Sequence, residues 1–296
     1  MANFQNALES GRFLVTAELT PPKGVDLSTL LAKAESLRDA VDAFNLTDSH
    51  TARMSMAPLG AGRALVERGI EPIVQMTGRD RNRIALQGDL LAAASLGVST
   101  VLCMSGDDPT AGDHVDAKPV FDLDGIGLLK AVSALARGED LGGSTLIDSP
   151  HLCAGATADP GASDLDRELS RIEQKLEAGA QFFQTQPVFD IARFEKFSVA
   201  VERLGAKILA GVMPLKSAKM ARNMNENVFG ISIPDELIDE MEKSSNAKAQ
   251  SVEVTGRIVK ELRSLCRGVH VMAIGWESLI PEILKTAGLD VQRRKA

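Results

Sequence analysis

Tyrosine is absent from this 296-residue chain, tryptophan occurs once, and 33 Lys and Arg face 40 Asp and Glu, for a formal charge of -7. A nucleic-acid surface needs a basic track and aromatic platforms for the bases, so nucleic acid is not an expected partner. Cysteine is scarce as well: Cys103, Cys153 and Cys266 are far apart and form no CxxC pair. They are expected to be reduced core residues of a cytoplasmic protein. No apolar run approaches the roughly eighteen residues of a membrane span, and the opening M-A-N-F-Q-N-A-L-E-S lacks a basic stretch followed by a long apolar one. Neither a secretory leader nor membrane insertion is therefore expected. No G-x-G-x-x-G follows the first apolar run, and the four histidines show no H-x-x-x-H or H-E-x-x-H spacing, so no dinucleotide fingerprint and no metal site is readable.

What the chain does hold is material for a large core, with 44% hydrophobic and 25% charged residues. Eight apolar runs each give way to a helix-period stretch: Phe13–Glu18, Ala43–Thr47, Pro72–Met76, Thr100–Met104, His151–Ala156, Gln181–Gln186, Lys207–Met213 and Val269–Gly275. Several are almost continuously apolar, as strands covered on both faces are. Leu27, Leu30, Leu31, Ala34 and Leu37 mark one helical face, Leu165, Leu169, Ile172 and Leu176 a second, and Val252, Val259, Leu262 and Cys266 a third. Ser163 and Asp166 resemble a capping box for the second helix, with Gly179 at its left-handed end. The repeat neither pauses nor breaks at a linker, which favours a single-domain (β/α)8 TIM barrel of the α/β class over residues 1–296. An extra C-terminal helix, Ser278–Ala287, ends at Gly288. Residues 106–123 and 138–150, rich in Gly, Asp and Pro, read as loops inside that domain.

Parallel barrel strands end on one rim, so the polar residues at their C-terminal ends converge. Glu18, Thr47, Gln75, Ser105 to Asp108, Gln186 and Trp276 all belong to that rim. Each has a plain reading beside a functional one. Glu18 can be an ionised carboxylate beside a basic neighbour, Asp107 and Asp108 good turn chemistry, Thr47 a helix cap, Gln186 a strand-end amide and Trp276 a packing anchor. Arg171 and Lys175 lie four apart on one helical face and suit an anion, or are solvated charges. Arg79, Arg81 and Arg83 are a second anion candidate.

The motifs resemble the methylenetetrahydrofolate reductase family, in its short bacterial form consisting of the catalytic barrel. A-E-L-T-P-P matches the first-strand motif, S-G-D-D-P the fourth, K-L-E-A-G-A with F-F-Q-T-Q-P-V-F-D the sixth, and G-V-H-V-M-A-I-G-W-E the eighth, so that the likeness runs almost end to end. It implies a cytoplasmic flavoprotein of one-carbon metabolism and methionine biosynthesis, with FAD as cofactor and NADH or NADPH as co-substrate. The substrates it implies are 5,10-methylenetetrahydrofolate and 5-methyltetrahydrofolate, interconverted through one site that nicotinamide and folate occupy in turn. Glu18 would be the acid that protonates the folate nitrogen, its pKa raised by burial. Asp107 would accept the pterin N–H groups beside the flavin, Gln186 would contact the pterin, and Trp276 would stack on the benzoyl group or on adenine.

Around the flavin the resemblance places Thr47, Gln75, Ser105, Gly106, Asp107, Phe121, Ala154, Gly155, Arg171 and Lys175. Gln75 stands where many members have His, Ser105 where they have Arg and Phe121 where they have Tyr. These changes remove charge or donors and imply weak FAD binding. The resemblance also implies a homo-oligomer, with a partner subunit as a further option. Two alternatives stay open: a barrel flavoprotein oxidising a small amine, in the manner of proline dehydrogenases, and a non-catalytic folate-binding or partner subunit.

Overall fold

The computed structural model describes residues 4–228 and 230–289. Eight parallel strands close into a barrel in chain order: β1 (Leu14–Leu19), β2 (Ala43–Leu46), β3 (Pro72–Thr77), β4 (Thr100–Met104), β5 (Cys153–Ala158), β6 (Phe182–Pro187), β7 (Ile208–Val212) and β8 (Gly268–Val271), with β8 pairing back onto β1. The helices are α1 (Phe4–Glu9), α2 (Ser28–Leu37), α3 (Pro58–Val66), α4 (Arg83–Ser95), α5 (Gly125–Ala136), α6 (Leu165–Glu177), α7 (Ile191–Glu202), α8 (Ala218–Asn227), α9 (Asp235–Lys243), α10 (Ala247–Leu262) and α11 (Ile280–Thr286). The expected (β/α)8 architecture is present. β8 stops short of the expected Gly275, because the chain turns at Ile274 and Gly275 with φ of 46° and 86°.

Strand alternation sorts the core. Val15, Ala17, Phe44, Val74, Ala154 and Ala210 face outward and are covered by the helices. Inward-facing residues stack in levels. The lowest holds Leu14, Ala43, Ile73, Leu102, Cys153, Phe182 and Leu209, and α1 seals it from below with Phe4, Ala7 and Leu8. Phe4 meets Phe182 edge-on, ring centroids 5.0 Å apart. Each Leu, Ile or Phe buried there contributes about 1.5–3 kcal/mol. Arg267 fixes the seal by donating from Nε and Nη2 to the Leu8 carbonyl at 3.1 and 2.8 Å. This helix was not foreseen, since a six-residue element shows little more than one turn of periodicity.

Above that floor the interior turns polar. Thr16, Asn45, Gln184 and His270 are all buried and hydrogen-bonded to one another. Between β7 and β8 the chain inserts α8 and α9 ahead of α10, of which only the α10 face was read in advance. Cys266 lies past the end of α10 and contacts the Gly268 carbonyl through Sγ at 3.1 Å.

The helices that follow the strands begin at the rim, and several are capped there by their own side chains: Asn82 before α4, Asp124 before α5, Asp164 before α6, Asp190 before α7 and Ser217 before α8. Each cap contributes about 1 kcal/mol. For α6 the capping residue is Asp164, whose side chain accepts from Arg167 N at 3.0 Å, not the expected Ser163, which stands one residue too early. Gly179 does end α6 in the left-handed region, with φ 109°. No helix among the described residues is long and apolar enough to cross a membrane.

Candidate active site

Glu18 rises from β1 two residues above Thr16 and lies half-buried at the mouth. His270 Nε2, from β8, stands 3.7 Å from Glu18 Oε2, and Gln75 Nε2, from β3, reaches the same oxygen at 3.5 Å. Burial pushes the Glu18 carboxyl up, but the hydrogen bond and charge of His270, the charge of His50 and the Gln75 amide pull it down, and the downward effects win. The expectation of a raised value is thereby reversed. The cause is His270, a neighbour whose inward position only the strand register reveals. Beside Glu18 opens a cavity of about 430 Å³, lined among others by Thr20, Pro22, Lys33, His50, Ile274 and Glu277.

Gln186 occupies another part of the rim. The pairing of β6 with β7 slips between Gln184 and Pro187, a bulge that re-aims the intervening side chains. Gly211 makes the slip feasible: a Cβ there would sit 2.4 Å from the Thr185 carbonyl oxygen, and Gly211 N donates to Thr185 Oγ1 at 2.9 Å. Gln186 is exposed and lines a second cavity, of about 390 Å³, with Arg167, Glu168, Arg171 and Lys175. Lys175 is buried and donates to the Thr157 carbonyl at 2.6 Å, and desolvation lowers its pKa against the opposing charge of Glu168. Arg171, Lys175 and Gln186 are thus brought together.

Thr47 is buried, and its Oγ1 has no hydrogen-bond partner among the described residues. Next to it, Asp48 Oδ2 accepts from Thr77 N at 2.9 Å, from Thr77 Oγ1 at 3.0 Å and from Arg81. Gly106 has φ 92° and presses on the end of β3, where an added Cβ would come within 3.0 Å of Arg79 and Thr77. Ser105 is exposed, and its Oγ accepts from Gly125 N at 3.3 Å. Asp107 is exposed on the same loop. The Asp80 hydrogen bond, with the charges of Asp80, Asp48 and Asp107, holds the Arg79 guanidinium above its ordinary pKa. Asp108 caps the turn Pro109–Ala111 by accepting from Thr110 N at 2.9 Å, the turn role expected of it.

Several expected residues are placed differently. Ala154 packs outward under the helices, and Gly155 is pressed against the Phe182 ring below the mouth. The strand runs to Ala158, two residues beyond the expected end, so Thr157 and Ala158 reach the rim instead. The arginine cluster is not free for an anion. Arg79 pairs with Asp80, Arg81 with Asp48 and Asp89, and Arg83 with Asp122 through two nitrogens. Trp276 is half-buried under two ammonium groups, Lys216 and Lys248, at 5.6 and 5.8 Å from the ring centroid. Phe121 is exposed with φ 42°. Together with Ser49, Thr51, Ala52 and Ile274 it makes five non-glycine residues in the left-handed region among the described residues, all on mouth loops. Strain of this kind, about 1–3 kcal/mol per residue, concentrates at functional sites. Among the described residues no three His, Cys, Asp or Glu side chains group as a metal site.

The residues missed in advance are His270, Thr16, Asn45 and Gln184. For the last three the signal was there: polar residues at every second position in T-A-E, N-L-T, Q-M-T and Q-T-Q near the strand ends.

The sequence profile of the methylenetetrahydrofolate reductase family matches residues 3–288. A probable methylenetetrahydrofolate reductase (NADPH) of Caenorhabditis elegans is 26% identical over 231 residues, 75% of this chain and 33% of the relative. Methylenetetrahydrofolate reductase 2 of Schizosaccharomyces pombe is 22% identical over 250 residues, 76% and 37% of the two chains. The chain therefore spans about a third of the length of these curated relatives. A solved structure from Clostridium thermocellum, an uncharacterized protein that binds two copies of 5-methyl-5,6,7,8-tetrahydrofolic acid, shares the fold with a TM-score of 0.59 at 15% identity over 96% of each chain.

Proposed function

Because the chain belongs to the methylenetetrahydrofolate reductase family, we propose that it interconverts 5,10-methylenetetrahydrofolate and 5-methyltetrahydrofolate, with FAD as cofactor and NADH or NADPH as electron donor. The observation that carries the proposal is Glu18, an acid on the first strand beside an open cavity of about 430 Å³, on the same rim as the Gln186 cavity with its basic floor. We further propose a cytoplasmic homo-oligomer built from one barrel domain over residues 1–296.

The residues present fit a flavin. A buried hydroxyl without a protein partner, Thr47 Oγ1, is the kind of group a ligand satisfies. Arg171 and Lys175 would hold the pyrophosphate, and Thr47, Gln75, Ser105, Gly106, Asp107 and Phe121 would surround the ring system. When bound, FAD supplies the two-electron relay between nicotinamide and folate.

The chain's own residues supply the rest. Glu18 delivers a proton to the folate ring nitrogen as its bond to the methylene carbon breaks, which leaves that carbon electrophilic. Asp107 accepts the paired N–H hydrogens of the pterin, where a carboxylate is a stronger acceptor than a neutral group. Gln186 offers both a donor and an acceptor to the same ring. Trp276 covers the remainder of the ligand at the rim.

The test is anaerobic spectroscopy of the FAD-reconstituted protein. NADH should bleach the flavin, and methylenetetrahydrofolate should restore its colour. Glu18→Gln should keep the first step and lose the second. A native protein whose flavin NADH leaves oxidised, or a Glu18→Gln protein that performs both steps at native rates, would refute the reading.

A further inference from the structure

Where β7 and β8 end, the rim carries positive charge that no acid answers. Lys216, in the loop after β7, and Lys248, the second residue of α10, hold their ammonium groups 5.6 and 5.8 Å from the ring centroid of Trp276, in the loop after β8. Among the described residues neither ammonium pairs with a carboxylate. Lys216 donates to the Ile274 carbonyl, which uses one of its three hydrogens. Glu277, the acid next in sequence to Trp276, is taken by Lys33 at 3.1 Å and by Gly275 N at 2.9 Å. Other cations of the rim face acids, as Lys23 does Asp113 and Arg81 does Asp48 and Asp89. In a chain of formal charge -7, two like charges gathered at the one tryptophan repel each other, and only the weak pull of the ring face offsets this.

We propose that Lys216, Lys248 and Trp276 form a subsite for the adenosine 2′-phosphate of NADPH, so that NADPH is the preferred nicotinamide donor of this chain. The proposal rests on the reading of the mouth as the place where nicotinamide and folate bind in turn.

Position and chemistry both support it. Ile274 and Gly275 line the cavity beside Glu18, and Trp276 follows them in the chain, so a ligand whose reacting ring lies at the mouth meets the two ammonium groups with its far end. A flat base suits the indole and the half-exposed Ile274 on the same turn. A phosphate monoester carries roughly two negative charges at neutral pH, which the two ammonium groups balance. NADH brings a ribose hydroxyl to this place instead, for which nucleotide sites supply a carboxylate acceptor. The acid on this turn, Glu277, is already engaged. Lysine stems are flexible, and a charge-assisted hydrogen bond to phosphate is stronger than an exposed cation–π contact, so the ammonium groups turn from the ring to the phosphate on binding.

The decisive measurement is calorimetry of the full chain with adenosine 2′,5′-bisphosphate and with adenosine 5′-monophosphate. The bisphosphate should bind about tenfold more tightly or better, the effect of charge-assisted contacts to one added phosphate. Lys216→Gln and Lys248→Gln should each erase most of that difference, and Lys248→Arg, which keeps the charge, should retain it. In the FAD-reconstituted enzyme NADH should still reduce the flavin, more slowly than NADPH at equal concentration. The ratio of kcat/KM for NADPH over NADH should fall about tenfold in Lys248→Gln, through KM and not kcat.

Equal binding of the two nucleotides by the native protein, or binding of neither, overturns the proposal. So does a Lys248→Gln protein that keeps the native preference. A Lys248→Gln protein that loses affinity for folate bearing several glutamyl residues, with its NADPH kinetics unmoved, gives the two ammonium groups to the folate carboxylates and overturns it as well. Lys248 is exposed on the first turn of α10, so its variants carry the test should Lys216→Gln fail to fold. The nucleotide titration needs neither flavin nor folate. A protein that prefers the bisphosphate and yet turns over no folate would refute the assigned reaction and keep this subsite.

Discussion

The floor and the mouth of the barrel are made by the same strands a few residues apart, and they obey opposite rules. Reading upward, β1 passes from Leu14 through Thr16 to Glu18, β3 from Ile73 through Gln75 to Thr77, and β6 from Phe182 through Gln184 to Gln186. At the floor, apolar side chains interlock above α1 and depend on shape alone. Two levels higher, most buried polar groups are placed by the donor or acceptor they meet, Thr47 Oγ1 excepted. The floor tolerates a change of chemistry that keeps volume, and the mouth tolerates a change of volume that keeps donors and acceptors.

The comparison is broken most sharply from the top. Glu18→Gln should slow the folate step by about 100- to 10,000-fold, the range of a lost general acid, and should lower the midpoint of urea unfolding at neutral pH only slightly. A large loss of stability instead would make Glu18 a structural residue. Phe182→Ala should do the reverse, costing about 3–5 kcal/mol of stability in urea titrations while the folded fraction keeps its activity. Between these extremes lies Asn45→Leu, which strands the Gln184 amide in the polar level. It should cost about 1–3 kcal/mol, and a neutral result would show that the polar level is not needed for folding.

Smaller effects sharpen the same contrast. The folded Glu18 carboxyl lies below its ordinary value of 4.5, so its ionisation adds stability that is complete above pH 4.5 and lost as pH falls through the lower folded value. The stability gap between native protein and Glu18→Gln should therefore narrow in acid. The gap to Phe182→Ala should stay flat, because Phe182 does not titrate. Smallest of all, the Cys153 thiol at the floor is pushed up to about 12 by burial. It should fail to react with a thiol reagent at pH 8 until the protein is unfolded.

Much of the barrel was legible because each strand ends in polar punctuation and each helix starts there. The parts that were not legible share physical reasons. The floor helix α1 is too short for periodicity to register, and α8 and α9 are so polar that they read as connection. At the site, Glu18, Gln186 and Lys175 stood out through their motifs, and Arg171 through its spacing from Lys175. Ala154 and Gly155 were misplaced because the fifth strand begins at Cys153 and not at His151, a two-residue offset that keeps a residue's facing but lowers it below the rim. His270 was hidden because G-V-H-V gives no sign of which alternate residues point inward. Only the pairing of Thr16 with His270 across β1 and β8 decides that.

The non-glycine residues Ser49, Thr51, Ala52, Phe121 and Ile274, held at positive φ, carry a consequence for directed evolution. A library of this gene selected for heat resistance would gather glycine or asparagine codons at those positions, since each replacement relaxes an awkward backbone. The survivors would outlast the parent in the heating block and trail it at the bench, with looser rims that hold their small molecules less well.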